Sequence, residues 1–406
     1  MKVMQVHNRY RSVIPSGENR VVDVEAEALR AAGHEVISFE RESDEIEHWS
    51  KAKKASLPVR LLWSREAHRD ITTMLAQRRP DVVHVHNTFP LITPSILYAC
   101  RDAGVPVVFT LHNKRLVCAT GDFFRAGSVC HDCTQGNPLP GVIHGCYRGS
   151  HLATASVAVA TTIHRHAWKS LISAYVFISA SQRDLLSELG FDEERVFVRH
   201  HLIPRRVAPP AVSREPMVLF VGRMHDHKGI RVLMAAWDSY LSRPSTTEPL
   251  RLVISGAGPL EGEVAEWAST RPSVDFAGRV DDATLNRLMS TARAVLIPST
   301  GEETFGLVSV EAMAMGVPPV AAARGAFVEL ITPGVDGDLF PPDDPEAMAR
   351  AIADIDLEPQ RYEDYGIQAR KTYEQRFDPD RSLEELVDIY RYAIEHPVHR
   401  SAERVS

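Results

Sequence analysis

The chain has no apolar run of the 18 or more residues that a membrane-spanning helix needs, which excludes a helical integral membrane protein. It also has no excess of basic residues. Across 406 residues, 46 lysines and arginines stand against 53 aspartates and glutamates, a formal charge of -7. That balance argues against a general nucleic-acid binder, whose phosphate contacts call for a basic surface. Five cysteines are too few to staple a chain of this length, so thiols, a metal site or plain packing are expected of them. The opening MKVMQVHNRYRS lacks an apolar stretch ahead of its charges, so no signal peptide is expected. A cytoplasmic protein follows, with peripheral attachment at the inner membrane face left open. What is present is globular: 44% hydrophobic and 24% charged residues, in a chain too long for one core and comfortable for two.

The pattern along the chain is strand, polar or glycine-bearing loop, helix, strand. Lys2–His7 reads as a short buried strand and is followed by a loop holding Gly17. Apolar residues at helical spacing from Val21 to Leu29 come next, then Gly33 and a second strand at 34–39. VVHVH (82–86), PVVFTL (106–111), 174–178 and 196–198 continue the series. Pro-rich 207–216 reads as a linker. After it the series restarts with MVLFV (217–221), RLVIS (251–255), 274–276, 294–297 and 317–321, and ends in an amphipathic helix near 382–394. Such alternation specifies parallel sheets covered by helices. The expected architecture is α/β, with two Rossmann-like doubly wound domains facing across a cleft. Their bounds would be 1–205 and 217–375, with 376–406 packing back on the first.

Chemistry concentrates in the second half. VGRMHDHKG (221–229) ends a strand at Gly222 and flanks a turn with two cations, Arg223 and Lys228, ahead of a helix. Glycine admits close backbone approach, and two fixed cations neutralise a diphosphate. SGAGP (255–259) and Gly278-Arg279-Val280 add two more turns at strand ends. PSTGEETFGLVSVEAMAMGVPP (298–319) carries two carboxylates, Glu303 in a loop and Glu311 inside a helix among apolar neighbours. Carboxylates accept hydrogen bonds from sugar and ribose hydroxyls, and a buried one needs a partner.

The ordered set VGR…KG, SGAGP, GRV and PS…E…FGL…EAMA…GVP closely resembles the retaining glycosyltransferases of family 4, of GT-B fold. The resemblance spans nearly the whole chain. It implies a nucleotide-diphosphate sugar donor, more often UDP than GDP, and no cofactor needed for catalysis. It also implies roles for individual residues. Arg223 and Lys228 would hold the diphosphate, with Gly17, Gly222 and Gly256 admitting the donor. Glu303, with the backbone of Phe305, Gly306 and Leu307, would meet the sugar and phosphate. Glu311 would bind the ribose, and Arg279 and Val280 would lie by the base. His112, closing PVVFTL, matches the sugar-facing histidine of that family. Thr304 departs from a commoner glycine, and Ser16 from one of two loop glycines. A nucleotide-sugar epimerase or hydrolase, or a non-catalytic sugar-nucleotide binder, would share the donor residues.

For the acceptor, the candidates are Arg9 and Tyr10 after the first strand, and His86 and Asn87 after VVHV. A glycan, a lipid-linked acceptor or a small molecule all fit. His200 and His201 end the VFV strand and read as punctuation of the interdomain link. Cys118, Cys130, Cys133 and Cys146 form C-x11-C-x2-C-x12-C in a Gly- and Pro-rich insertion at 116–150. A structural zinc suits that pattern; free thiols or disulfides are the alternatives. Similar cysteine-bearing insertions occur in a subset of the family.

Overall fold

Short runs of β-branched residues, each ended by glycine or polar residues, assemble into two parallel six-stranded sheets. A computed structural model describes residues 1–12, 16–205, 214–243 and 249–398. Most of the expected linker, along with residues 13–15 of the first loop, lies outside the described residues. The chain divides into two units.

Unit 1 comprises 1–123, 131–202 and the chain from 380 onward. Its strands begin with β1 (Lys2–Arg9), β2 (Glu35–Glu42), β3 (Val82–Asn87) and β4 (Val107–Leu111). A two-stranded hairpin, β5 (Phe124–Arg125) and β6 (Ser128–Val129), interrupts the series before β7 (Ala174–Phe177) and β8 (Val196–Val198). The sheet order is β2-β1-β3-β4-β7-β8, all parallel. Every residue of β3 is buried. Its period-2 alternation puts Val83 and Val85 on one face and His84 and His86 on the other. The insertion 116–150, expected whole on the first domain, is divided: its hairpin stretch Phe124–Cys130 belongs to unit 2.

Unit 2 is otherwise 203–379. Its strands are β9 (Met217–Val221), β10 (Arg251–Ser255), β11 (Val274–Gly278), β12 (Ala294–Ile297), β13 (Pro319–Ala322) and β14 (Asp338–Phe340), in the order β11-β10-β9-β12-β13-β14. The strand expected over 317–321 begins at Pro319, a first-residue position where a missing N–H is tolerated. β14 was not anticipated. It is three residues long and starts on an aspartate, so it carries no alternation to read.

The last helix, Pro379–Glu395, packs on unit 1 through Leu386, Ile389, Tyr390 and Ala393, against Val3, Leu29, Val82 and Val108. It starts three residues before the amphipathic stretch expected at 382–394. Arg199, buried after β8, pins it. The guanidinium donates to the Ser382 carbonyl at 2.8 Å, to Ser382 Oγ at 3.0 Å and to Glu25 Oε1 at 2.5 Å. Removing one partner of a buried ion pair strands the other charge. Glu25→Ala is therefore expected to cost about 3–5 kcal/mol in denaturant unfolding. Glu25→Leu combined with Arg199→Met is expected to recover most of that loss.

Candidate functional site

In unit 2 the turns leaving β9, β10, β11 and β12 are stitched together along the carboxyl edge of the sheet. Gly222 N–H donates to the Ser255 carbonyl at 3.1 Å, and Gly256 N–H donates to the Gly278 carbonyl at 2.9 Å. Thr300 and Gly301 N–H both donate to the His227 carbonyl, at 3.1 and 2.9 Å. The backbones touch directly. A Cβ on Gly256 would sit 1.8 Å from the Gly222 carbonyl oxygen, and one on Gly229 would sit 1.8 Å from that of Pro298. Both positions also have positive φ, so only glycine fits. Gly256, expected to admit the donor, thus has a packing reason of its own.

On this frame stands the turn between β9 and the helix Ile230–Leu241. Lys228 forms an ion pair with Glu303, which also accepts from Ser299 Oγ at 3.0 Å. Burial opposes ionisation of Glu303, but the Lys228 ammonium and the Ser299 hydroxyl prevail and bring its pKa down to about 2. Glu303 is a permanent anion and acceptor at neutral pH. Arg223 is exposed and donates to His227 Nε2 at 3.4 Å. Because a guanidinium only donates, the proton of His227 sits on Nδ1, which donates to His225 Nδ1 at 2.8 Å. Burial, with Lys228 and Arg223 adding to it, lowers the pKa of His227 to about 3. His227 is therefore a neutral spacer between the two cations. The Phe124 ring of the hairpin lies edge-on to it, with centroids 6.2 Å apart. No expectation included His227, although MHDHKG places it directly beside Lys228.

Gly306, at φ +82°, caps the helix Leu307–Ala314. The ring of Phe327 fills the space that a Cβ there would need. Phe305 and Glu311 are buried and Leu307 is half-buried. Arg279 is exposed and Val280 half-buried after β11. Four expected donor groups, Arg223, Lys228, Glu303 and Glu311, thus belong to one unit, and two of them are in contact.

Unit 1 gathers five histidines. A register shift at His7 in β1 sets that ring 6.2 Å from His86. His86 lies 4.0 Å from His84 and 5.2 Å from His112, and His112 stacks on His201 at 5.1 Å. His201, read as punctuation, is part of this stack. Burial holds His84 and His201 near pKa 3 and lowers those of His7, His86 and His112 as well. The whole array is neutral. His86 Nδ1 lies 2.9 Å from His112 Nε2, so one shared proton joins the two rings. On the far side, buried His86 Nε2 faces Glu25 Oε2 at 3.9 Å. A carboxylate there favours the proton on Nε2, leaving Nδ1 to accept from His112 Nε2–H.

Glu25, His84 and His86 are also the one group among the described residues whose donor atoms come within metal-binding reach. They do not suit a cation. Both nitrogens of His84 are engaged at 2.7 Å, by Tyr390 OH and Thr110 Oγ1, and Arg199 already neutralises Glu25. Cys118 Sγ lies 3.2 Å from Thr120 Oγ1, and Cys130 belongs to unit 2 with the hairpin.

Two of the acceptor candidates are committed elsewhere. Arg9 is held by Glu40 at 2.6 Å and Asp23 at 2.5 Å. The Asn87 amide donates to the Asn8 carbonyl at 2.9 Å and accepts from Phe89 N–H at 3.0 Å. Tyr10 leads to a group the sequence did not expose. Its hydroxyl donates to Glu18 Oε2 at 3.2 Å, and Asn113 Nδ2 reaches both from 3.4 Å. Burial raises Glu18 to about pKa 7 against these hydrogen bonds. Glu18 is in the first turn of the helix that starts at Gly17, capped by Ser16.

Over residues 16–200 the chain matches the family described as glycosyl transferase 4-like domain, and over 215–355 that described as glycosyl transferases group 1. The chain thus carries the two glycosyltransferase domains in tandem, on a GT-B fold. A phosphatidyl-myo-inositol mannosyltransferase of Mycolicibacterium smegmatis is 28% identical over 367 residues, covering 85% of this chain and 82% of its own. Among solved structures, Anabaena HepE in complex with UDP and glucose is similar with a TM-score of 0.65 at 18% identity, covering 96% and 98% of the two chains. A sucrose-phosphate synthase of Thermosynechococcus elongatus is similar at 0.68 and 20%, again over 96% and 98%. The similarities to solved structures carry the fold.

The raised Glu18 gives a prediction with a definite sign. The folded state holds the proton up to about pH 7, whereas the unfolded chain releases it near its ordinary value. Stability therefore falls as pH rises between the two. Glu18→Gln should leave stability unchanged at pH 4 and raise it at pH 8, by up to roughly 3 kcal/mol. Urea unfolding across that range checks it; a pH-independent difference would remove the assignment.

Proposed function

We propose that this GT-B protein is a retaining, metal-independent glycosyltransferase that moves a sugar from a nucleotide-diphosphate sugar, UDP in preference to GDP, to an acceptor hydroxyl. The observation that carries the reading is the Lys228–Glu303 pair beside exposed Arg223, on a rim fixed by backbone packing. HepE, the fold neighbour solved with UDP and glucose, supports the choice of base.

The chemistry follows from charge. When the bond from the sugar's anomeric carbon to the phosphate oxygen breaks, negative charge grows on the leaving diphosphate. Arg223 and Lys228 stabilise it there, already in position. Lys228 has three N–H donors, so it can serve phosphate oxygens while keeping Glu303. Glu303, ionised throughout the neutral range, accepts from sugar hydroxyls and sets the orientation of the ring. Glu311 takes the ribose hydroxyls, and the backbone of Gly306 and Leu307 takes the phosphate.

Retention is assigned to a front-face path. The acceptor oxygen bonds to the anomeric carbon on the face the phosphate leaves, and the departing phosphate oxygen takes the acceptor's proton. Glu18, the carboxylate that unit 1 offers beside Tyr10, holds its proton near neutrality and is a poor nucleophile. His112, neutral and oriented through His86, is the unit 1 group assigned to the donor sugar. A double displacement on an enzyme carboxylate is less well served.

Lys228→Ala is expected to reduce transfer on the order of 10²–10³-fold, as removal of a charge-stabilising donor does, in a protein that still folds but melts lower because Glu303 has lost its partner. Glu303→Gln should lose turnover while UDP binding, measured by calorimetry, stays within about threefold, because the nucleotide contacts remain. Chelation by EDTA should leave turnover unchanged, and NMR of the product should show the donor's anomeric configuration. Free sugar and UDP as the sole products would replace transfer by hydrolysis. Unimpaired turnover in Lys228→Ala would sink the assignment.

A further inference from the structure

One face of unit 1 is left apolar and basic by the fold. It is made of the helices Lys51–Ala55, Leu57–Leu62, Leu139–Ile143 and His151–Ile163, which pack in series on one another. His164 Nε2 bonds the Leu62 carbonyl at 2.5 Å, and His151 Nδ1 bonds the Val142 carbonyl at 2.8 Å. On the longest helix Leu152, Val159 and Ile163 are 75%, 46% and 57% exposed. Their spacing of seven and four places them on a single stripe. Val59 beside them is 69% exposed, and Leu139 and Ile143, four apart, are 56% and 59% exposed. The other large apolar residues exposed among the described residues of unit 1 are Trp63, next to the helix Leu57–Leu62, and Val198. Clustering on this scale marks an interaction site rather than scattered surface apolarity.

The charge on the same helices is mostly positive, with Glu47 and Glu66 at the borders and Glu66 paired to Arg60 at 3.7 Å. Residues 48–65 and 133–170 contain eight lysines and arginines and no aspartate or glutamate. At the chain's overall frequency these stretches would hold about seven carboxylates. In a chain of net charge -7, such segregation leaves a cationic, apolar surface on an otherwise acidic protein. Lys51, Lys54 and Arg65 are exposed and Lys53 half-buried. An apolar stripe flanked by lysine and arginine is the composition that binds an anionic bilayer interface.

Beneath the face lies a pocket lined by Leu61, Val157, Ala160, Phe109 and Trp168. At its polar end are His86, His112, Asn113 and Arg115. Its apolar walls come partly from the helices of the docking face, and its polar end carries the imidazole assigned to the donor sugar.

We propose that this face docks on an anionic membrane, and that the pocket takes the hydrocarbon chain of an acceptor carried in that membrane, with the reactive hydroxyl toward His112. The acceptor part rests on the transferase reading above; the docking part does not.

Flotation with phosphatidylcholine vesicles, with and without phosphatidylglycerol, tests the docking. Phosphatidylglycerol should strengthen binding ~10-fold or more, and high salt should weaken it. V159E/I163E should abolish it with the melting temperature intact, and K53E/K54E should weaken it in phosphatidylglycerol vesicles alone. Equal binding to both vesicles, binding unaffected by V159E/I163E, or a dimer that V159E/I163E dissolves in the absence of vesicle binding would overturn the docking. For the pocket, dodecyl glucoside below its micelle threshold should bind in calorimetry and methyl glucoside should not, with A160W removing the difference. Equal binding of the two glucosides would overturn the hydrocarbon site. UDP binding measured on the same preparations separates the readings. Docking lost with UDP still bound leaves the transferase standing; docking kept with UDP unbound leaves the membrane face and removes the transferase.

Discussion

The Lys228–Glu303 ion pair is the constraint on which the chemistry of unit 2 depends. A largely buried carboxylate is costly unless a partner holds it, and the partner here is the cation that a diphosphate would need. The Lys228 ammonium keeps Glu303 ionised. The pair can be this close because the loops carrying it meet backbone to backbone, at Gly229 against Pro298 and at Gly256 against Gly222. Side chains at those glycines would push the β9 and β12 loops apart and separate the charges. The glycines act by permitting loop contact, and only through that contact do they bear on a ligand.

Much of this was legible in the sequence, for physical reasons that differ by residue. Strands such as Met217–Val221 and Arg251–Ser255 have their expected bounds because parallel strands buried on both faces read as continuous apolar runs. Arg223, Lys228 and Glu303 were visible because they fall in an ordered set of motifs, VGR…KG and PS…E…FGL, that resembles one family as a whole. Asp338–Phe340 left no trace because three residues carry no period. The Phe124–Cys130 hairpin could not be assigned to unit 2 from sequence, since local pattern does not say what a loop will touch. Arg9 and Asn87 looked available because their partners, Asp23, Glu40 and the Asn8 backbone, are set by tertiary packing. Glu18 was hidden for the same reason. Only burial distinguishes it from an ordinary first-turn glutamate.

The histidine array shows where residue type misleads. Five imidazoles in one place suggest metal or proton traffic, yet burial leaves all of them neutral at ordinary pH. Neutral imidazoles can be packed ring on ring without the repulsion that imidazolium ions would suffer. Each still carries one donor and one acceptor, so the array is a way of fixing hydrogen-bond direction inside a sheet edge. Glu25 sets the sense at one end. Its Oε1 is consumed by Arg199 and its Oε2 faces His86, so the same carboxylate that ties the C-terminal helix to unit 1 also biases the tautomer of His86 and, through it, of His112.

The two units therefore rest on opposite electrostatic strategies. Unit 2 holds Glu303 ionised by pairing it with Lys228 and leaves Arg223 exposed, as the proposed site for an anionic leaving group requires. Unit 1 suppresses charge at its sheet edge, by burial of the histidines and by protonation of Glu18, and places its positive charge on an outer helical face instead. A polar end of neutral imidazoles beside the Arg115 guanidinium suits a hydroxyl, which needs orientation more than attraction. A hydrocarbon tail likewise gains nothing from charge and is served by the Leu61, Val157 and Trp168 walls. On this account, an amphiphile entering the unit 1 pocket would find both its ends matched, the head by the imidazoles and Arg115 and the tail by the apolar walls.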